Sequence, residues 1–497
     1  MMKINKILVA NRGEIALRVM RSAREAGIKT VAVYSDADAA APHVRYADEA
    51  VCIGPPASSE SYLVVDKIID ACKRTGADAI HPGYGFLSEN AKFAQRVKDE
   101  GLIFIGPSPA SITVMGDKLA SKNAVKAFDV PLVPGMEEPI GDINLAKEIA
   151  NKIGYPIMIK ASAGGGGKGM RIVNEEKEFE EQMKRAVSEA KSSFSDDKVF
   201  VEKFVSNPKH IEVQILGDQH GNVLYLFERE CSIQRRNQKV IEEAPSSVLS
   251  PEQRKKIGEA AVNVAKSCDY YGAGTVEFIA DENLNFYFLE MNTRLQVEHP
   301  VTEQITGLDL VKEQIKIAQG EVLSFKQEDL HINGHSIELR VYAEDPENGF
   351  LPDTGKLERY ERPQGPGVRV DDGFEQGMEI PIFYDPMIAK LVTYGKDRKE
   401  AIDRMLRAIS EYKIVGVKTT LSFGEFVLKH PAFVDGTFTT KFVEQYFKPE
   451  MLQKEVTDEI ANIAAMFAFM HDKSKNHIAI TQPSSQIKAN WRNRIAH

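Results

Sequence analysis

Residues 161–170 read ASAGGGGKGM and contain four consecutive glycines. Gly164, Gly166 and Gly169 satisfy the dinucleotide-binding pattern G-x-G-x-x-G. A Walker loop with Lys168 as its lysine would instead need glycine at position 162 and serine or threonine at position 169. The chain has Ser162 and Gly169, so the sequence excludes the Walker loop.

The flanking sequence bears on the dinucleotide interpretation. YPIMIK (155–160) precedes the glycines and MRIV (170–173) follows them, and both are predicted strands. A dinucleotide fingerprint opens a helix, where phosphate meets the helix N-terminus. Glycines between two strands predict a hairpin tip instead. Because glycine permits any backbone angle, such a tip suits a lid that closes over phosphates.

The chain upstream begins with a β-α-β pattern. KILVA (6–10) and TVAVY (30–34) are predicted strands on either side of a helix over 15–26, which indicates a parallel sheet. The first turn holds only Gly13, which argues against a pyrophosphate site there. Asp36 and Asp38 would hold a ribose in the rival dinucleotide interpretation, or lie in a solvated loop. Further strands at 79–83 and 103–107 complete a predicted first domain over 1–115.

The rest of the chain is divided by the same patterns into three segments. Residues 116–330 are predicted as a strand-rich central domain with its lid at about 133–204. Residues 331–446 are predicted as a mixed α/β domain, with a helix at 398–411. Residues 447–497 form a predicted tail, with one amphipathic helix ending near Met470 and a polar stretch after it.

Composition limits the classes of partner. The net charge of -9 gives no support to a nucleic-acid partner. The four cysteines are far apart and show no metal-ligand spacing. No uninterrupted apolar run reaches the ~18 residues of a membrane span, so we expect no membrane association and a cytoplasmic location.

Two strands near the middle of the chain carry a candidate metal site. Strands at 274–280 and 285–292, joined by a four-residue loop, would place position 277 opposite 288 and position 275 opposite 290. Glu277, Glu290 and Asn292 then share one face, and their oxygens suit Mg²⁺. The alternative is a pair of ordinary exposed glutamates. A loop of three or five residues would break this inference.

The segment after these strands carries further candidate residues. Arg294 offers a planar fork for an oxyanion, and Glu298 could accept a proton from a group held there. The alternative is a surface ion pair between the two. Lys118, Lys160 and Lys239 each follow apolar strands and are either phosphate contacts or solvated lysines. Lys160 has the best individual case because it directly precedes the glycines.

Taken together, eight separated strings resemble one family. They are KILVANRGEIALR, HPGYGFLSEN, IFIGPS, KASAGGGGKGMR, CSIQRRNQK, GAGTVEF, EMNTRLQVEHPVTE and IELRVYAEDP. In this order, over about residues 1–445, they resemble biotin carboxylase, the ATP-grasp enzyme that carboxylates biotin. The resemblance implies an α/β protein with a Rossmann-like N-terminal parallel-sheet domain, a central ATP-grasp domain with a glycine-rich lid, and a C-terminal mixed α/β domain.

The resemblance also implies the cofactors and their residues. The cofactors are ATP and Mg²⁺, with Mn²⁺ as a substitute, and biotin is a substrate carried by another protein. Metal ligands would be Glu277, Glu290 and Asn292. The implied cofactor-binding residues are Lys118, Lys160, Gly166, Gly167, Glu202, Lys203, Phe204, Val205, His210, Gln234, Asn237, Gln296 and Val297. Among these, 202–205 would line the adenine and His210 would reach the ribose region.

Four catalytic residues follow from the same motifs. Lys239 and Arg294, with Val297, would hold bicarbonate, and Glu298 would deprotonate it. Arg340 would stabilise the enolate form of the biotin ureido group. Bicarbonate would attack the γ-phosphate to give carboxyphosphate, which the lid protects from water.

One residue departs from the family pattern. Asn237 stands where the family usually has histidine, so the family does not establish its contact with the nucleotide. The resemblance further implies a homodimer and, as a partner, a biotin carrier protein or a biotin-bearing carboxyltransferase subunit. The residues after 446 resemble tails of separate pyruvate carboxylase ATP-binding subunits, and they either dock the carrier-bearing protein or are disordered.

Alternatives stay open for both the acceptor and the class of enzyme. The tail favours pyruvate as the final acceptor, with acetyl-CoA, propionyl-CoA and 2-oxoglutarate as alternatives. Another ATP-grasp ligase would share the lid and the metal face but has no reason to keep Arg294, Glu298 and Arg340 in these strings. A dinucleotide-dependent oxidoreductase would need more glycines in the first turn.

Overall fold

The computed structural model describes residues 3–136, 142–161, 170–194, 199–453 and 458–476. The chain forms two compact units, residues 1–449 and 450–497. Within the described part of the chain, no helix is long and apolar enough to cross a membrane.

The N-terminal part is a five-stranded parallel sheet flanked by helices. Its strand order is β3-β2-β1-β4-β5, so the chain starts in the centre and builds outward on both sides. The strands are β1 (Lys6–Val9), β2 (Lys29–Ser35), β3 (Glu49–Gly54), β4 (Ala79–His81) and β5 (Ile103–Phe104). The helices are α1 (Gly13–Glu25), α2 (Pro42–Tyr46), α3 (Val65–Thr75), α4 (Ala91–Asp99) and α5 (Pro109–Gly116).

A smaller three-stranded antiparallel sheet, of order β7-β6-β8, follows two connecting helices. The elements are α6 (Lys118–Lys126), α7 (Ile143–Ile153), β6 (Ile157–Ala161), β7 (Met170–Val173), α8 (Phe179–Phe194) and β8 (Val199–Lys203). Ile157 pairs with Val173 and Lys160 with Met170, which confirms that the glycine run joins two paired strands. The run itself, with Gly166 and Gly167, lies outside the described residues.

The largest sheet among the described residues has eight strands, in the order β13-β12-β9-β10-β11-β14-β19-β18. Its strands are β9 (Lys209–Gly217), β10 (Val223–Arg235), β11 (Gln238–Ala244), β12 (Gly272–Ala280), β13 (Phe286–Asn292), β14 (His335–Tyr342), β18 (Val368–Asp372) and β19 (Met387–Gly395). The helices between these strands are α9 (Pro251–Lys266), α10 (His299–Thr306) and α11 (Leu310–Ala318). Because β11 pairs with β14, strands from the predicted central and C-terminal domains belong to one sheet.

The remaining elements cover the end of that sheet. They are β15 (Glu344–Asp345), β16 (Leu351–Pro352), β17 (Arg359–Glu361), α12 (Arg398–Glu411), β20 (Lys413–Val415), α13 (Leu421–Lys429), α14 (Pro431–Val434) and α15 (Phe442–Tyr446). The second unit contains α16 (Asp458–Asn476). The arrangement confirms the expected α/β fold with a parallel N-terminal sheet.

Candidate active site

Glu277, Glu290 and Asn292 share one face of the sheet as predicted, here called the metal face after its proposed role, but through a different strand register. The β12–β13 loop has five residues, since Ala280 pairs with Phe286, and this makes the predicted four-residue loop wrong. Such a loop alone would turn Glu290 away from Glu277. A β-bulge between Phe288 and Glu290 adds one residue to β13 and returns Glu290 to the same face as Glu277. Glu277 therefore pairs directly with Glu290. The predicted pairs 277–288 and 275–290 are therefore wrong, although the shared face is present.

Glu277 lies at the centre of a hydrogen-bonded cluster. Its Oε1 accepts from Lys239 Nζ at 2.7 Å and from Gln296 Nε2 at 2.8 Å. Its Oε2 lies 3.0 Å from His210 Nε2. Burial opposes ionisation, but the charges of Lys239 and His210 outweigh it and hold the pKa of Glu277 well below its usual range. Glu277 is therefore an ionised carboxylate.

Glu290 is compensated less than Glu277, because the charges of Lys239 and His210 do not outweigh its burial and the nearby charge of Glu277. Among the described residues it forms no ion pair or hydrogen bond, and it is exposed. Partial desolvation and the charge of Glu277 raise its pKa. Asn292 bridges the site, donating from Nδ2 to Glu277 at 3.0 Å and accepting from Arg294 at Oδ1. Two adjacent carboxylates, one without a cationic partner, fit a divalent cation.

A chain of alternating charges runs from this face across the sheet. Lys239 Nζ donates to Glu277, to Glu212 at 2.5 Å and to Glu298 Oε1 at 2.8 Å. Glu298 Oε2 accepts from Arg340 at 2.9 Å. Burial opposes ionisation of Glu298, but Lys239 and Arg340 outweigh it and lower its pKa well below the usual range. The structure thus brings together the predicted residues Lys239, Glu298 and Arg340.

Arg294 is predicted either to bind an oxyanion or to form a surface ion pair with Glu298, and in the structure it pairs with Glu89. Its Nε donates to Glu89 at 2.8 Å and one terminal nitrogen donates to Asn292 at 2.9 Å. Glu298 is not among its hydrogen-bonding partners, so the surface ion pair between the two is wrong. The guanidinium is placed at the metal face by a carboxylate from the loop after β4. Position along the sequence could not show this contact, because Glu89 and Arg294 are 205 residues apart.

Buried cations donate hydrogen bonds to Val297 and Gln296. The Val297 carbonyl accepts from Lys390 Nζ at 3.0 Å. Gln296 accepts from Arg229, which is fully buried and also donates to Glu212 and Thr275. Lys390 therefore anchors the backbone at Val297, and Arg229 anchors the side chain of Gln296.

The predicted adenine residues begin on β8, at the edge of the three-stranded sheet. Glu202 accepts from Lys160 Nζ at 2.6 Å and from Lys122 Nζ at 2.5 Å. The Lys203 backbone N–H donates to the Pro134 carbonyl, and the Phe204 N–H donates to the Pro156 carbonyl. Val205, the next residue, is half-buried. Lys160 therefore points towards the predicted nucleotide strand, with Lys122 as a second cation.

The other predicted nucleotide residues fall at three places. His210 Nδ1 lies 3.0 Å from Gln234 Nε2, which links β9 to β10 next to Glu277. Lys118 is exposed at the first position of α6. Arg236 and Asn237, with φ of 49° and 63°, form the two-residue turn between β10 and β11. Positive φ at both positions defines a type I′ turn, in which asparagine is favoured.

Sequence reasoning missed several residues of the site. They are Glu89, Lys122, Glu212, Arg229, Glu242 and Lys390. A usable signal existed for most of them, because a charged residue inside a long, buried strand needs a partner. Glu212 and Arg229 are fully buried in the central strands β9 and β10, and Lys390 has no exposed side-chain surface.

Family models match three consecutive stretches of the chain. "Biotin carboxylase, N-terminal domain" matches residues 3–112, "Carbamoyl-phosphate synthase L chain, ATP binding domain" matches 117–326, and "Biotin carboxylase C-terminal domain" matches 338–445.

Individual relatives match over most of the chain. The mitochondrial propionyl-CoA carboxylase alpha chain of Homo sapiens is 52% identical over 98% of this chain and 68% of its own length. A pyruvate carboxylase subunit of Methanothermobacter thermautotrophicus is 54% identical over 89% of this chain and 90% of its own. The chain spans less than two thirds of the mouse propionyl-CoA carboxylase alpha chain.

A solved structure matches the fold. It is the biotin carboxylase domain dimer of Hydrogenobacter thermophilus 2-oxoglutarate carboxylase, in complex with MgADP, ADP and bicarbonate. It has a TM-score of 0.82 and 50% identity, and the match covers 91% of this chain and 100% of that one. With this identity along nearly the whole chain, and with the charged face that the sheet assembles, the protein belongs to the biotin carboxylase family of ATP-grasp ligases.

Proposed function

We propose that this protein carboxylates biotin on a carrier protein, with ATP and bicarbonate as co-substrates and carboxyphosphate as the intermediate. The observation that carries the proposal is Glu298, a buried carboxylate held between Lys239 and Arg340. On one side this carboxylate adjoins the metal face through Lys239. On the other it adjoins Arg340, the residue assigned to biotin.

We infer that Glu277, Glu290 and Asn292 would hold Mg²⁺, for which Mn²⁺ would substitute. Glu290, which has no direct ion pair among the described residues and lies beside the ionised Glu277, supports this assignment. The cation supplies neutralisation of phosphate charge when it is bound. For the nucleotide, Lys118 and Lys160 are the proposed phosphate contacts, with 202–205 at the adenine and His210 near the ribose.

Bicarbonate would bind between Arg294, Lys239 and the backbone of Val297. Glu298 is a weak base while both of its oxygens accept from cations. A bound anion that also accepts from Lys239 would weaken the interaction of the Lys239 ammonium with Glu298. The basicity of Glu298 would then increase. Glu298 Oε1 would then accept the bicarbonate proton, and the bicarbonate oxygen would attack the γ-phosphate of ATP.

Arg340 would act in the second half of the reaction. Carboxyphosphate yields CO₂ and phosphate, and the phosphate would take the proton from the biotin nitrogen. The negative charge then spreads to the ureido oxygen, where the guanidinium of Arg340 stabilises it. The contact of Arg340 with Glu298, at 2.9 Å, supports this role, because the two proposed half-reactions would then share one carboxylate.

The proposed partners are a second copy of the chain and a protein that carries biotin. The similar structure is described as a dimer, which supports a homodimer. The carrier would be a biotin carrier protein or a biotin-bearing carboxyltransferase subunit. A cytoplasmic location also stays a proposal, since the human relative is described as mitochondrial.

We propose pyruvate as the final acceptor, with propionyl-CoA as a second candidate. Pyruvate is favoured by the similarity to the pyruvate carboxylase subunit of Methanothermobacter thermautotrophicus. Propionyl-CoA has its own supporting observation, because the match to the human alpha chain extends over 98% of this chain, against 89% for the pyruvate enzyme. Acetyl-CoA and 2-oxoglutarate stay alternatives. Purification of the native complex, followed by carboxylation assays with each acceptor, decides among them.

The deciding experiment for the reaction is an ADP-release assay. We expect release to require bicarbonate and to increase when free biotin is added, and Glu298→Gln to abolish the increase. Stimulation by an amine in place of biotin would favour another ATP-grasp ligase, which is the alternative class.

A further inference from the structure

A second carboxyl pair lies beneath Arg340. Glu338 is on β14 and is fully buried, and neither of its oxygens has a hydrogen-bond partner among the described residues. Leaving an ionised carboxylate in such a position is strongly unfavourable. A glutamate in this environment therefore needs either a cation or a proton.

Glu242 is the cross-strand neighbour of Glu338. The two are register partners in the antiparallel pairing of β11 with β14, so their side chains leave the same face of the sheet. Glu242 is also fully buried, and its Oε1 accepts from Arg340 Nε at 2.6 Å. Its Oε2 has no hydrogen-bond partner within the described ranges of the chain. Two neighbouring residues, Glu242 and Glu338, thus carry three buried carboxyl oxygens without a hydrogen-bond partner among the described residues.

The cations near the pair, within the part of the chain that the structure describes, are committed to other carboxylates. Arg340 is shared by Glu242 and Glu298, and Lys390, which is on the adjacent strand β19, lies 3.2 Å from Glu14 and 4.0 Å from Asp371. Lys239, whose charge also acts on Glu242, pairs with Glu212, Glu277 and Glu298. A further polar group that interacts with Glu338 is the Tyr84 hydroxyl, which donates to Glu14. The pair therefore has one cation contact for two carboxyl groups.

We propose that Glu242 and Glu338 share one proton and together position Arg340 for biotin. Glu338 is the protonated member and donates its O–H to the free oxygen of Glu242. Glu242 stays singly charged and holds Arg340 Nε, which fixes the plane of the guanidinium while its terminal nitrogen contacts Glu298. This inference rests on the proposed biotin carboxylase function.

The charge balance explains why a proton belongs there. With Glu242 and Glu298 ionised, Arg340 already has two anionic partners. A third charge on Glu338 would compete with the biotin oxygen for Arg340. Burial raises the pKa of Glu242 to about 7 despite Arg340, and burial raises the pKa of Glu338 well above its ordinary value despite Lys390.

Three variants of the full-length protein test the proposal. Glu338→Gln keeps the volume and an N–H donor, Glu338→Ala removes both, and Glu242→Gln removes the charge that holds Arg340. We expect Glu338→Ala and Glu242→Gln to raise the KM for biotin by about tenfold, as expected when a reacting group is displaced. The ratio of biotin-stimulated to unstimulated ADP release should fall with it, and Glu338→Gln should restore near-normal values.

The pH profile and infrared spectrum separate positioning from a merely structural role. In the wild type, loss of the shared proton should decrease biotin-stimulated turnover at high pH. In Glu338→Gln this decrease should occur at a higher pH. Difference infrared spectra should contain a protonated-carboxyl band that Glu338→Gln removes, a readout that needs no enzymatic activity.

Two results would overturn the inference. One is a Glu338→Gln variant as impaired as Glu338→Ala, and the other is the absence of the protonated-carboxyl band, which would mean an ionised Glu338 solvated by buried water. Failure of the proposed function is distinguishable, because the wild type itself would then show no biotin-stimulated ADP release.

Discussion

Single residues of the site are placed by local rules that are easily traced. Asn237 occupies a turn position with φ of 63°, where asparagine is among the best-tolerated residues. Its departure from the usual histidine of the family is thus consistent with the backbone of the β10–β11 turn. Glu290 owes its position to one bulge residue, Leu289, whose side chain is exposed.

We predict that Asn237→His changes the KM for ATP modestly and the turnover number little. The residue is exposed at a turn and its side chain makes no contact with Glu277 or Glu298. Steady-state kinetics with varied ATP provides the measurement. A large loss of turnover at saturating ATP would show that position 237 takes part in the chemical step.

Glu290→Ala should abolish activity and weaken the dependence on Mg²⁺. Removing one of two adjacent carboxylates removes a metal ligand, and we expect a loss of at least about 100-fold. Titration of ADP release with Mg²⁺ measures both effects. Glu282→Ala, in the exposed loop of the same hairpin, is the matched control, and unchanged kinetics in Glu290→Ala would refute the metal assignment.

Among the elements, β14 shows how one strand serves two purposes. Ile337, Leu339 and Val341 face the hydrophobic core of the C-terminal part. Ser336, Glu338 and Arg340 alternate with them and face the polar side. Because every residue of β14 is buried, the polar face can be tolerated only when its charges are compensated.

The pH dependence of stability offers a test on this strand. A glutamate whose pKa is raised in the folded state stabilises the fold at low pH, and this contribution is lost as pH rises through the folded pKa. Each unit of the shift corresponds to ~1.4 kcal/mol. We therefore expect the unfolding free energy of Glu338→Gln, relative to the wild type, to increase as pH rises above the ordinary glutamate pKa.

Chemical denaturation of both proteins at several pH values measures this difference. Glu411→Gln, at the exposed end of α12, is a suitable control because its carboxylate pairs with Arg407 at the surface. A difference that does not change with pH would show that Glu338 is ionised in the folded protein.

Across residues 1–449, buried ion pairs join segments that are distant in sequence. Lys390 on β19 contacts Glu14 on α1 and the carbonyl of Val297, and it is fully buried. Arg18 on α1 pairs with Glu303 and Asp309. The loop that carries the proposed bicarbonate site is therefore supported from both ends of this unit.

Lys390→Met should destabilise the protein strongly. The variant keeps much of the volume but leaves the buried Glu14 without its cation, and loss of one partner of a buried pair costs about 3–5 kcal/mol. Thermal or denaturant unfolding provides the measurement. Lys399→Met, whose side chain is exposed and pairs with Asp403, should change stability by less than about 1 kcal/mol. Equal effects of the two substitutions would contradict the role of Lys390.

Much of this protein can be predicted from local pattern. Apolar runs identify β1, β2, β6 and β7, and the strands on either side of the glycines exclude a helix-opening phosphate loop. The motif strings bring Lys239, Glu298 and Arg340 into one family site. The strands are predictable because each depends on residues a few positions apart, where backbone geometry and side-chain period dominate. The grouping of Lys239, Glu298 and Arg340, which are far apart in sequence, comes from the family resemblance and not from local spacing.

The contacts between distant segments depend on the fold. The five-residue loop between β12 and β13 would turn Glu290 away from Glu277, and the bulge in β13 turns it back. The alternation of side chains along a strand cannot reveal either feature. Glu89 reaches Arg294, and Glu242 meets Glu338, because separate strands and loops converge on one sheet. The charges of the site balance only in three dimensions, since burial and the distance to each partner, which set the protonation of a carboxylate, are products of packing.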